Sequence, residues 1–269
     1  MTGIVNFSLA QTDTLSKKNC KNDSTKMNFG SVDVIVIKKY ECNNVSDSII
    51  HDDKNKKPKK TTFSNWPGIY LGVNGLLTPA GSTDLGIKNR FLELDYSKSV
   101  TWGINFADVK FKIVPDYVTL TTGLGIQWNK YGLKNNYSLY YNADSVYGIQ
   151  DSLVKFTKNK LNATYLQIPL LFEFRTNAKA RKAFHFAFGV IGGYKLGSNL
   201  KQEYSFNGFD SEGKTKGHYQ LNPFQAYGTF RMGYGKRFTV FANYGLTPVF
   251  EKGKGPDLRP FTVGLYLPI

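Results

Sequence analysis

The chain lacks any run of roughly 18 apolar residues of the kind that a membrane-spanning helix needs, and its mean hydropathy is −0.34. A helical membrane protein is thereby excluded. A strand-built one is not, because barrel strands alternate lipid-facing and lumen-facing residues and average out to a polar composition. Histidine is scarce: His51, His185 and His218 are the whole supply. Nucleophilic serine chemistry needs a histidine partner, and no Ser/His/acid spacing can be assembled around these three. Cysteine is scarcer still. Cys20 and Cys42 cannot make a tetrahedral zinc site by themselves, although in an oxidising compartment they could close one disulfide. Acidic residues are few, 20 against 35 basic, for a net charge of +15. The lysines are scattered through turns rather than gathered on one element, apart from Lys54–Lys60. With no helix-turn-helix, finger or RNA-binding sheet pattern, nucleic acid is not an expected partner. Nor does the sequence point to a cofactor or a metal: Gly253-Lys254-Gly255-Pro256 lacks the spacing and the strand–helix setting of a phosphate loop.

What the chain does have is aromatic residues and glycine, with 20 Phe, 17 Tyr and 26 Gly in 269 residues. Three regions differ in character. In residues 1–10 an apolar stretch ends in Ser8-Leu9-Ala10, small residues of the type that signal peptidase accepts; this segment is expected to be the remainder of a secretory signal peptide. Residues 11–65 are polar and lysine-rich, with one β-like run at Val32–Ile37 and a linker-like stretch from Asp47 to Lys60. They are expected to form a short, partly disordered periplasmic tail. From residue 66 to 269 every apolar segment alternates with period two, as half-buried strands do.

Eight such segments follow one another: 68–78, 98–109, 116–132, 161–175, 183–197, 222–235, 237–249 and 260–269. In the third, Val118, Leu120, Leu124, Ile126 and Trp128 share a face opposite Thr119, Thr121, Gly123, Gln127 and Asn129. Pro169, inside the fourth, removes a ladder donor and predicts a bulge. The segments run about 10–17 residues, where globular strands average about 5–6. Their connections alternate strictly between long (near 79–97, 133–160, 198–220 and 251–259) and short (near 110–115, 176–182 and 235–236). Short periplasmic turns and long external loops are the asymmetry of outer-membrane barrels. The fold expected is all-β: an eight-stranded antiparallel up-and-down transmembrane β-barrel, with both chain ends on the periplasmic side. A soluble calycin-like barrel would put apolar residues inward, whereas the inward faces here are polar and glycine-rich.

Several segments resemble the outer-membrane β-barrel family common in Bacteroidota, described as porin-like or PorT-like. They are Tyr165-Leu166-Gln167-Ile168-Pro169-Leu170-Leu171-Phe172-Glu173-Phe174, Thr122–Asn129, Asn222–Phe224, Arg231–Gly235 and Tyr244–Phe250. The resemblance covers roughly residues 66–269. It implies a location in the cell outer membrane, insertion by the outer-membrane assembly machinery, and no known reaction. One departure is Ile269, where such barrels often end in an aromatic residue.

An eight-stranded barrel leaves an interior only wide enough for side chains. Glu173, Arg175, Lys195 and Arg231 fall on inward positions and are expected to form a charge network that fills the lumen, since buried charges need partners. Basic residues of the long loops, among them Lys88, Lys130, Lys134, Lys160, Lys201, Lys254 and Arg259, suit lipopolysaccharide phosphates. The aromatic residues of the same loops, such as Tyr140, Tyr147 and Phe209, suit contact with a protein partner. The expected role is structural or surface-interacting, with no catalytic residues. A narrow solute channel is the alternative, and a lipid A-modifying enzyme a more distant one.

Overall fold

The computed structural model describes residues 23–29, 32–38, 66–115, 117–177, 183–206, 209–235 and 238–268. Cys20, Cys42, the signal-like residues 1–10, the stretch from Asp47 to Lys60 and Ile269 lie outside them. The chain divides into two compact units, residues 1–60 and 61–269. In the first, strands β1 (Asp23–Phe29) and β2 (Val32–Lys38) form an antiparallel hairpin, with Phe29 opposite Val32.

The second unit holds β3 (Gly68–Leu77), β4 (Val100–Val114), β5 (Val118–Gly132), β6 (Tyr137–Tyr141), β7 (Val146–Gln150), β8 (Phe156–Arg175) and β9 (Phe184–Phe206). It continues with β10 (Phe209–Lys216), β11 (Phe224–Tyr234), β12 (Phe238–Gly245) and β13 (Arg259–Pro268). Eight of these strands form a closed antiparallel ring in the order β3, β4, β5, β8, β9, β11, β12, β13 and back to β3. Closure runs through ten residue pairs, from Arg259 opposite Leu77 to Pro268 opposite Gly68. In hydrocarbon an open edge would leave backbone groups unsatisfied at several kcal/mol each, so the sheet must meet itself.

The barrel is inside out. Ile69, Leu71 and Val73 of β3 are exposed while Tyr70 and Asn74 between them are buried. On β9, Phe184, Phe186, Phe188 and Val190 are exposed while His185, Ala187 and Ile191 are buried. Apolar residues outside and polar ones inside are stable only when the surroundings are lipid. The height of the apolar band can be read on two adjacent strands. The rings of Tyr194 and Phe224 lie 5.3 Å apart at one end, and those of Phe184 and Tyr234 lie 4.8 Å apart at the other. Ten residues separate the two pairs on each strand, roughly 33 Å of extended chain and about 25 Å once tilted, which matches a barrel's apolar band. Trp102 and Trp128 stack at 4.2 Å on neighbouring strands and belong to the outer of these aromatic girdles, where indoles anchor at the headgroup level.

Three details differ from the sequence reading. β4 continues to Val114, so the first short connection shrinks to a tight turn in which the Tyr117 amide donates to the Val114 carbonyl at 3.2 Å. The long connections carry strands of their own: β6 pairs with β7, β10 pairs with β9, and β8 and β9 stay paired well past the outer girdle. Pro169 causes no bulge. The register of β5 on β8 is continuous across it, but the pairing lapses for the residues opposite Gly123 and Leu124. There the Leu124 carbonyl accepts a hydrogen bond from the Trp66 indole at 3.1 Å.

Candidate functional site

Three layers fill the barrel from the short-turn end to the long-loop end. The first is charged. A register shift on β4 between Asn105 and Ala107 reverses the alternation, so that Val109, Phe111 and Ile113 are exposed and Asp108 and Lys110 are drawn inward. Asp108 and Lys110 form an ion pair at 3.3 Å. Glu173 is buried beside the Thr121 hydroxyl, with Lys110, Arg175 and Arg231 as its cationic neighbours. His185 Nε2 lies 2.9 Å from the Thr239 hydroxyl. The Arg231 guanidinium sits between two rings, 4.9 Å from the centre of Trp66 and 5.0 Å from that of Tyr266. Such cation–π contacts are worth about 2 kcal/mol when desolvated. Trp66 is fully buried, and its carbonyl accepts from the Tyr266 hydroxyl. Its indole lies over Gly123, where a Cβ would come within 2.7 Å of the ring.

The second layer is a belt of neutral polar side chains. Tyr70 donates to Gln167 at 2.9 Å, Gln167 to Gln127, and Gln127 to Asn129 at 2.9 Å. Thr101 donates to Asn129 and Asn74 donates to Thr101, both at 2.8 Å. The belt crosses β3, β4, β5 and β8, and it replaces with fixed partners the water that these amides would otherwise need. The Tyr70 ring packs edge-on against Phe241 at 5.4 Å. It fits because Gly103 leaves space; a Cβ there would lie 2.4 Å from the ring.

The third layer is apolar. All four long connections send residues over the barrel mouth: Leu85, Leu92 and Leu94 from the first, Leu133, Leu139 and Val146 from the second, Tyr219 and Leu221 from the third, and Val249, Phe250 and Leu258 from the fourth. They pack on Leu76, Tyr131, Leu161, Ala163, Tyr165 and Leu200 from the ends of the ring strands. Backbone hydrogen bonds tie the connections to one another: Lys134 N to Glu93 O at 2.8 Å, Val146 N to Lys254 O at 2.9 Å, and Asn222 N to Val249 O at 2.8 Å. Tyr219 and Gln220 both take left-handed backbone conformations, with φ of 45° and 49°. Each costs about 1–2 kcal/mol, offset by burial of the Tyr219 ring, whose hydroxyl donates to the Thr215 carbonyl at 3.1 Å.

Of the four lumen residues expected from the sequence, Glu173, Arg175 and Arg231 come together in the charged layer. Lys195 lies at the other end, where its ammonium donates to the Leu221 carbonyl under the cap. Lys110 and Asp108 join the charged layer although the alternation placed Lys110 in a turn. No sequence signal marks the bulge that moves them. Of the aromatic fillers, Tyr227 lies inward with Gln225, Thr229 and Arg231, as the alternation of its segment places it, whereas Trp66 and Tyr266 went unassigned as lumen residues. Tyr266 was legible in principle, since it shares the parity of its inward neighbour Thr262.

A closed eight-stranded ring with an apolar exterior bounded by aromatic girdles, and a packed polar interior, defines a β-barrel protein of the outer membrane. The chain belongs to the outer membrane protein beta-barrel domain family, which residues 68–251 match. No curated protein and no solved structure matches the chain.

Proposed function

We propose that this barrel acts through its external surface and that its lumen is a structural core rather than a path. One observation carries the reading: the apolar cap contributed by all four long connections, which sits above a lumen already filled by Trp66, Tyr70, Tyr227, Tyr266 and Arg231. A solute crossing it would have to displace both layers. The cap also turns what would be four loose loops into a rigid platform, and rigid presentation lowers the entropic cost of binding. Exposed aromatic residues on that platform, including Tyr140, Tyr147 and Phe209, suit a protein partner.

Lys98, Lys130 and Lys160 stand beyond the outer girdle, on the strands and connections that flank Trp102 and Trp128, and Arg259 opens β13 on the same rim. That placement suits the phosphates of lipopolysaccharide. No reaction is assigned. His185 is engaged with Thr239 inside the lumen, and His218 belongs to the third long connection. Insertion by the outer-membrane assembly machinery goes with this class of protein.

The test is conductance. Folded protein, verified by heat-modifiable migration, should show no steps above baseline in a planar lipid bilayer. Reproducible single-channel steps would overturn the closed-barrel reading in favour of a narrow channel.

A further inference from the structure

Strand β10 forms an external hairpin with β9, from Phe209 opposite Phe206 to Lys216 opposite Asn199. Among the described residues nothing pairs with its other edge. All eight of its residues are exposed. Free edges invite pairing and are usually blunted by lysines, proline or a bulge. Here the charges are instead segregated: Asp210 and Glu212 precede Gly213, and Lys214 and Lys216 follow it, all four on one face of the strand.

The hairpin itself does not account for this order. Within it Glu212 stands opposite Glu203, and Lys214 opposite Lys201. Like charges directly opposite each other destabilise a strand pair. The conflict is relieved by ion pairs from Lys201 to Glu212 at 2.8 Å, Lys201 to Glu203 at 3.1 Å, and Lys158 to Glu203 at 2.7 Å. Against a second copy of β10, antiparallel about a two-fold axis through Gly213, the match is complete. Asp210 faces Lys216, Glu212 faces Lys214, and Ser211 faces Thr215. When the same edges meet in parallel, one copy is turned over about the strand axis, so its charged face lies on the opposite side of the sheet and no such match forms.

The membrane decides which of these pairings is available. β9 runs outward from the barrel and β10 returns toward it. Copies in one membrane share that sense, so their free edges would meet in parallel. Copies in two facing membranes meet antiparallel. The hairpin also has the reach, because twelve residues separate Tyr194 in the outer girdle from Phe206 at the tip, about 40 Å of extended chain. We propose that β10 is a homotypic contact strand, pairing antiparallel with β10 of a second copy on a facing membrane through the opposed pairs Asp210/Lys216 and Glu212/Lys214. This rests on reading the external surface as the working part of the protein, and it names the partner.

The experiment uses lipid vesicles carrying the full-length protein, with clustering followed by light scattering. Wild-type vesicles should cluster, and less so as salt rises. Vesicles carrying Asp210→Lys with Glu212→Lys should lose clustering, as should those carrying Lys214→Glu with Lys216→Glu. Mixing the two variant populations should restore it. A Ser211→Cys population mixed with a Thr215→Cys population should form a disulfide-linked dimer under mild oxidation, a readout that leaves every charge in place. Clustering by either charge variant alone, or a charge-variant mixture that stays dispersed together with no cross-link, overturns the proposal. Failure to cluster by an intact, non-conducting barrel removes this contact and leaves the closed-barrel reading standing, whereas conductance removes that reading whatever the vesicles do.

Discussion

Within the membrane, β5 turns Gln127 and Asn129 inward and Ile126 and Trp128 outward; at its far end the same strand turns Tyr131 inward and Lys130 outward. β8 makes the same change, from buried Glu173 and Gln167 with exposed Ile168 and Leu170 to buried Tyr165, Ala163 and Leu161 with Lys160 on the other side. Backbone geometry and pleat are common to both stretches, so the reversal belongs to the surroundings. Where lipid lies outside, the interior can be a hydrogen-bonded polar belt, because the apolar residues are needed on the wall. Where water lies outside, burial of apolar surface again drives packing, and the interior becomes an ordinary hydrophobic core. The cap is in this sense a small soluble domain built on the rim of a membrane barrel.

Removing one side chain from the cap shows whether the two regions are energetically separate. Phe250 is buried at 1% exposure among residues from three other connections. Phe250→Ala should cost about 3–5 kcal/mol of cap stability, the range for emptying a buried phenylalanine site. If the two regions are energetically separate, the loss stays in the cap. External connections should become sensitive to protease added to whole cells, while the barrel keeps its heat-modifiable migration. Loss of the folded band as well would mean that the two regions unfold as one.

A charge placed on the wall measures how far the lipid extends along the strands. Val190 is exposed on the outer face of β9, between the girdle residues Phe184 and Tyr194. Val190→Arg places a charge near the middle of the apolar band and should cost about 2–4 kcal/mol. Lys160→Val, on the outer face of β8 beyond the girdle, should change stability by no more than about 0.5 kcal/mol. Denaturant titration of both variants in the same vesicles checks this. Equal effects would mean that lipid does not stop where the aromatic girdle does.

The ring of eight strands and the sidedness of the connections were legible because the alternation repeats over segments long enough to exceed chance. Much of the charged layer was legible too, since Glu173, Arg175 and Arg231 hold the parity of their strands. The failures have local causes. A single inserted residue after Asn105 reverses parity, and nothing in Asn105–Lys110 announces it, so Asp108 and Lys110 were not placed in the lumen. The cap escaped because its members, such as Leu85, Leu139 and Leu258, are isolated residues in long connections. They acquire a common face only after the barrel has brought its rims together. Pro169 misled in the other direction, because a missing N–H can be absorbed by a lapse in pairing without any change of register.

The smallest effect expected is a pH dependence confined to the cap. Glu93, in the first long connection, accepts hydrogen bonds at 2.9 Å from the Lys134 ammonium and 2.8 Å from the Asn135 amide, both in the second. Lys134 first and Asn135 second hold its carboxyl below the ordinary value of 4.5. A carboxyl depressed in the folded state contributes stability that is fully present above 4.5 and is lost as pH falls through the lower, folded value. Both side chains are substantially exposed, 33% for Glu93 and 58% for Lys134, so solvent screening limits the contribution to a few tenths of a kcal/mol. Acidification from pH 6 to pH 3 should therefore raise protease accessibility of residues 133–155 slightly. Glu93→Gln should show that raised accessibility at both pH values and lose the step between them. A step of equal size in Glu93→Gln would assign the acid sensitivity of the cap to another group. The lumen offers no equivalent test, because protons reach the solvent-exposed tie between Glu93 and Lys134 without opening anything, whereas Glu173 lies behind packed side chains.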